Sequence, residues 1–161
     1  MKVFWTALAV LGALLLQSGL SQVLPPSARL FDPFLLVLVY CGLSFGESHA
    51  MLTGAVAGWI QDVHFGGPVL GLSGLTRVVL GFLVGLAATR FQLTEAGPRG
   101  LVLLGAAVFD VLFLWGLASA FDVPAAAPTA STIALRALIN AVLGMALFEL
   151  LESRLLRKRR P

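Results

Sequence analysis

Residues 51–85 read MLTGAVAGWIQDVHFGGPVLGLSGLTRVVLGFLVG, and the fold follows from how this stretch divides. Two apolar arms flank a glycine-proline turn at Gly67-Pro68, with Gly71 just beyond it. Each arm carries two glycines at four-residue spacing, Gly54/Gly58 and Gly81/Gly85, and such pairs share one face of a helix. In lipid, small residues on one face let helix backbones approach closely, so that van der Waals packing replaces the hydrophobic drive. The stretch is therefore expected to form a transmembrane helical hairpin. A carboxylate, Asp62, stands just before the turn, and a guanidinium, Arg77, follows it by about two helical turns.

The whole chain supports a membrane setting. Of its 161 residues, 58% are hydrophobic and 12% charged, and its mean hydropathy is +0.95. Soluble domains average nearer a quarter charged, so the composition is that of an integral membrane protein. At about 20 residues per span the length has room for five or six helices and little else. One polytopic domain over 1–161 is expected, with a short basic tail, so any chemistry belongs to the bundle, its loops or a partner. The single cysteine, Cys41, lies in an apolar run and reads as a small buried hydrophobe.

Taken in order, helix 1 is expected over roughly 3–22. Lys2 and Val3–Leu16 also resemble the charged and apolar regions of a secretory signal. A retained helix is the preferred reading, because a membrane bundle follows it. Pro25-Pro26 stops this helix. Asp32-Pro33 then offers an N-cap followed by proline at the first helical position. The apolar run it opens, Phe34–Phe45, is short for a span. Glu47-Ser48-His49 reads as a tight polar turn, with helix 3 over about 48–63 and helix 4 over about 69–91. Gln92–Gly100 is the clearest polar loop, and helices 5 and 6 are expected over about 100–121 and 132–156.

Six spans put both termini on one side. Lys2, Arg90, Arg99 and the tail Arg154-Leu155-Leu156-Arg157-Lys158-Arg159-Arg160 fall on that side, against Arg29 on the other. The positive-inside rule then makes both ends cytoplasmic. The same rule reads the tail as a topology anchor rather than a nucleic-acid contact.

Charges inside the bundle carry the strongest functional signal, because ionisable groups in a bilayer are costly and face the protein interior. Asp110 lies about ten residues into helix 5, about 15 Å deep and close to the midplane. Its side chain is too short to snorkel, so a buried partner or a protonated carboxyl is expected. Arg77 leans back along helix 4 toward Asp62. Arg136 lies in the outer half of helix 6, with Asn140 one turn below on the same face. The expected polar network pairs Asp62 with Arg77, and Asp110 with Arg136 and Asn140. A plainer reading stands beside the first pair: Asp62 in interfacial water and Arg77 snorkelling to headgroups.

Catalytic and metal-binding constellations are not expected. His49 and His64 fall at opposite ends of helix 3, no His/Cys spacing suits zinc, and Gly71-Leu72-Ser73-Gly74 lacks the lysine of a phosphate loop. No cofactor is called for.

The hairpin resembles that of the rod shape-determining protein MreD family. Gly54/Gly58, Asp62, Gly67-Pro68, Leu70-Gly71-Leu72 and Gly81/Gly85 match its pattern, and Asp-Pro-Phe-Leu-Leu opening helix 2 is similar. The resemblance implies a non-enzymatic scaffold in the bacterial cytoplasmic membrane, partnered by MreC. It also implies neighbours in the elongation machinery for lateral peptidoglycan synthesis: MreB, RodA and its transpeptidase partner. It further implies an all-α bundle similar to the substrate-binding subunits of energy-coupling-factor transporters, which makes a vitamin-binding transporter subunit the alternative. A proton-coupled channel using Asp110 is a third reading, with no repeated pore motif behind it.

Overall fold

The computed structural model describes residues 2–23, 30–66, 69–91 and 96–157, with side chains described up to residue 150 apart from Ala96. The described residues form six α-helices and no strand: α1 (Lys2–Val23), α2 (Pro33–Phe45), α3 (Glu47–Phe65), α4 (Leu72–Arg90), α5 (Ala96–Ala120) and α6 (Ala130–Arg157). Four of them are long and apolar enough to cross a membrane: α1, α4, α5 from Gly97, and α6 over Ala130–Leu150. The other two, α2 and α3, do not meet that standard. With 13 residues, α2 rises only about 20 Å against a hydrocarbon core of about 30 Å.

The short helix is the central one. It touches each of the other five, and eight of its residues, among them Phe34, Leu35, Leu38 and Val39, are buried. Walled in by protein, α2 has no lipid thickness to match, which is why 13 residues suffice. Leu35, Leu36, Leu38 and Val39 form one core with Leu80 and Val84 of α4, Leu103 and Ala107 of α5, and Ala137 and Ala141 of α6. A second, smaller core joins Phe34 to Val10 and Ala13 of α1 and Ala57 of α3.

Helix directions alternate along the chain. The α3–α4 pair is antiparallel, since a side chain on Gly58 would meet Gly74 and one on Gly81 would meet Ala50. The α2 helix runs parallel to α6, with Asp32 beside Asn140 and Leu36 beside Gly144. The two histidines tie α1 alongside α3 in the same direction: Thr6 Oγ1 lies 2.8 Å from His49 Nε2, and Ser18 Oγ lies 3.2 Å from His64 Nε2. The main packing of α1 is against α2, where its two buried residues, Val10 and Ala13, join the core around Phe34.

The surface is apolar and several polar groups are inside, as a lipid solvent requires. Trp5, Leu15, Leu52, Trp59, Leu101 and Leu138 are exposed, while Asp32, Thr53, Asp62, Thr76, Arg77, Asp110 and Asn140 are buried.

Several expected boundaries move. Glu47-Ser48-His49 is the first turn of α3 rather than a turn between helices; the reversal is made by Gly46 alone, at φ +90°. Helix α4 begins at Leu72, not 69, because Gly71 at φ +95° serves as its N-cap. Helix α6 begins at Ala130, capped by Thr129, whose Oγ1 accepts from the Thr132 N–H at 3.3 Å. Ala96–Gly100, expected in the polar loop, already belongs to α5. The Gly67-Pro68 part of the hairpin turn and the Pro25-Pro26 stop lie outside the described residues.

Candidate functional site: a buried ionic cluster

Asp32 caps α2. Its Oδ1 accepts from the Phe34 N–H at 3.0 Å and the Leu35 N–H at 3.2 Å, an N-cap placing negative charge at the positive end of the helix. Because α2 is so short, this cap sits inside the bundle rather than at a water interface, and Asp32 is 2% exposed. Its second oxygen is therefore free to meet cations buried with it.

Two arginines supply them. Arg77 of α4 donates from Nη2 to Asp32 Oδ2, and Arg136 of α6 approaches the same oxygen at 3.5 Å. Asp110 of α5 completes the group, with Oδ1 3.9 Å from Arg77 Nε and Oδ2 3.7 Å from Arg136 Nη2. Two carboxylates and two guanidiniums, drawn from α4, α5, α6 and the cap of α2, thus alternate in a formally neutral cluster. Neutrality matters because an uncompensated charge in such surroundings costs several kcal/mol. Arg77 also lies over the Phe34 ring, 5.5 Å from its centroid, a cation–π contact in a dry site.

Asn140 locks the cluster to the backbone. Its Oδ1 accepts the Asp32 N–H at 2.9 Å, and its Nδ2 donates to the carbonyls of Leu30 and Arg136, each at 2.8 Å. One fully buried amide thereby satisfies the segment entering α2 and fixes α6 against it. Arg77 Nε and Nη1, although buried, have no hydrogen-bond partner among the described atoms. At 3.9 Å the Nε–Asp110 contact is an ion pair beyond hydrogen-bond range.

Of the expected pairings, Asp110 does face Arg136, whereas Asn140 joins through Asp32 and Leu30. The Asp62–Arg77 pair does not form. Asp62 Oδ2 instead accepts the backbone N–H groups of Gly71 at 2.8 Å and Ser73 at 3.1 Å. It is a cap for α4 lent by the end of α3, holding the hairpin closed where α4 exposes its first donors. The snorkelling alternative for Arg77 also fails, since Arg77 is 1% exposed.

Asp62→Ala should therefore cost about 1 kcal/mol, and Asp62→Asn less, since asparagine keeps an acceptor. In a double-mutant cycle read by thermal melting in detergent, Asp62 and Arg77 substitutions should add. A coupling energy above about 1 kcal/mol would contradict the separate roles.

The residue that sequence reading missed is Asp32, seen only as a helix cap. Its signal was the shortness of the run after it: a 13-residue helix cannot place both ends at opposite membrane surfaces, so a cap carboxylate falls within the bundle.

The glycine faces meet as a seam between α3 and α4. A Cβ on Gly58 would come 2.5 Å from the Gly74 Cα, and one on Gly81 would come 2.7 Å from the Ala50 carbonyl. On Gly54 it would strike the Arg77 carbonyl, and on Gly85 the Glu47 backbone. The Gly54 contact joins the two features: the seam presses α3 against the backbone of Arg77 itself and so sets how far that guanidinium reaches toward α2.

Among the described residues no three His, Cys, Asp or Glu side chains gather as a metal site. The cluster's charges are engaged with one another, an arrangement suited to holding helices in place. No curated protein and no solved structure matches the chain. A family model does: that of the rod shape-determining protein MreD, over residues 3–154. With nearly its whole length matched, an all-helical apolar fold and a hairpin closed by Asp62, the chain belongs to the rod shape-determining protein MreD family.

Proposed function

We propose that this chain is a non-enzymatic scaffold of the bacterial cell-elongation machinery, embedded in the cytoplasmic membrane and engaging MreC. The family match over residues 3–154 carries the reading. The cluster supports it physically. Neutral ion pairing between α2, α4, α5 and α6 fixes those helices relative to one another, so their outer faces present a constant shape to other membrane helices. MreB, RodA and its transpeptidase partner are the further components such a scaffold would bring together around lateral peptidoglycan synthesis.

All six helices are then membrane-embedded, with α2 enclosed by the others, and both termini face the cytoplasm. The order of basic residues along the chain supports this orientation: Lys2, Arg90, Arg99 and the tail belong to the side opposite the cluster. Reporter fusions at Gly97 and Ala126 should read inside and outside respectively.

Depletion in a rod-shaped host should give rounded cells with lost lateral wall synthesis, and co-purification should recover MreC. Cells that kept their shape would defeat the scaffold reading. The vitamin-binding alternative draws no support from the cluster, whose four charges are paired with one another, although Arg77 Nε and Nη1 make no hydrogen bond among the described atoms. A stoichiometric vitamin in mass spectra of the purified protein would revive it.

A further inference from the structure

The ionic cluster is balanced in charge but not in hydrogen bonds. Arg77, 1% exposed, spends Nη2 on Asp32, while the donors on Nε and Nη1 meet no acceptor among the described atoms. Asp110 has the opposite deficit. Its Oδ1 lies 3.9 Å from Arg77 Nε and its Oδ2 lies 3.7 Å from Arg136 Nη2, both beyond hydrogen-bond range. The other elements are tied in directly: α4 by Arg77 to the cap of α2, and α6 by Asn140 to the Asp32 N–H. Among the described residues, α5 is held to the cluster by charge alone.

We propose that an enclosed water molecule, cut off from bulk solvent, bridges Arg77 and Asp110, accepting from the guanidinium and donating to the carboxylate. The rest of the cluster has nothing left to offer either group. Asp32 Oδ1 is taken by the Phe34 and Leu35 N–H groups, and its Oδ2 by the two arginines. Asn140 spends its oxygen on the Asp32 N–H and its amino group on two carbonyls. A charged donor left unpaired in the interior is costly, and native proteins place ordered water on such groups.

Chemistry, charge and size each select water. The bridging group faces N–H donors on one side and a carboxylate on the other, so it must both accept and donate. It is uncharged, because the cluster is formally neutral: an anion would confront Asp110, and a cation would confront the guanidinium. It is also small. Two atoms 3.9 Å apart can each lie about 2.8 Å from one oxygen set beside the line joining them. Anything larger would have to part α4 from α5, since Arg77 and Asp110 are both buried. Arg136, whose side chain is 26% exposed, borders the cluster where the water exchanges. The bridge supplies α5 with the hydrogen-bonded link to α4 that its direct contacts do not make.

The test is solid-state NMR on the unmodified full chain in phosphatidylcholine bilayers, with isotope-labelled arginine and aspartate. Arg77→Lys assigns the Arg77 Nε resonance by its disappearance; should that variant not fold, correlation through the Thr76 and Val78 backbone assigns it instead. Polarisation started on water should reach Arg77 Nε several-fold faster than the backbone N–H of Leu38, a residue buried in the apolar core. The measured separation of Arg77 Nε from the Asp110 carboxyl carbon should be longer than a direct N–H···O contact permits.

Transfer to Arg77 no faster than to Leu38 would overturn the proposal, because the site would then be dry. So would a separation short enough for a direct hydrogen bond, since the two side chains would then satisfy each other with nothing between them. Neither result bears on whether the chain serves cell elongation, which depletion tests separately.

Discussion

Replacing Arg77 with methionine should be among the most damaging single changes in this protein, costing about 3–5 kcal/mol. The substitution keeps a long side chain over Phe34 but leaves Asp32 and Asp110 facing one remaining cation, Arg136. Asp32 cannot retreat, because it caps α2 and its N–H is held by Asn140. Asp110, 4% exposed, has no route to water either. The expected result in detergent is a large fall in melting temperature at fixed scan rate, with loss of the monodisperse species on gel filtration.

A second substitution separates charge imbalance from lost packing. Adding Asp32→Asn to Arg77→Met restores neutrality, since Asp110 and Arg136 remain as a pair, and asparagine still caps α2. Buried ion pairs replaced as a unit by uncharged residues are often near neutral in stability. More than half of the lost stability should return in the double variant. A double variant as unstable as the two single losses summed would mean that charge balance is not what the cluster contributes.

The second large effect is expected at Gly81. Glycine to alanine within a helix ordinarily stabilises it, by about 0.5–1 kcal/mol. At Gly81 the sign should reverse. The new Cβ would lie 2.7 Å from both carbon and oxygen of the Ala50 carbonyl, which is backbone and cannot swing aside. The two helices must separate, and the contacts at Gly54, Gly58 and Gly85 loosen with them. A loss of about 1–3 kcal/mol is expected for alanine, and failure to fold for leucine. Gly105→Ala and Gly116→Ala in α5, where a Cβ would meet nothing within 4 Å, serve as controls and should be neutral or stabilising. Equal effects at Gly81 and Gly105 in thermal melts would mean that the seam is not close-packed in the membrane.

Loosening the seam should also reach the cluster. Gly54 faces the carbonyl of Arg77, so displacement of α4 carries the guanidinium away from Asp32. Gly54→Ala combined with Arg77→Met is therefore expected to fall short of additivity, in contrast to Asp62 with Arg77.

These expectations divide along the line between local and distant interactions. Membrane character, the number of helices and the glycine faces of α3 and α4 were legible in the chain, because each depends on composition or on the helical period within one segment. The hairpin was legible for a related reason: its two arms are consecutive, and short connections bring neighbours together. Even Asp32-Pro33 announced its helix start correctly.

What could not be read was which charges meet. Proximity in sequence favoured Asp62 for Arg77, yet the backbone donors of Gly71 and Ser73 lie nearer and take that carboxylate. Arg77 turns to Asp32 and Asp110 instead, residues on two other helices. Helical periodicity decides which residues share a face. Only the packing of α2 at the centre decides which faces confront each other, and at what depth, because that choice depends on side-chain volumes summed over all six helices. A short helix enclosed by the others brings its cap into the interior, and the charge at that cap then selects its partners.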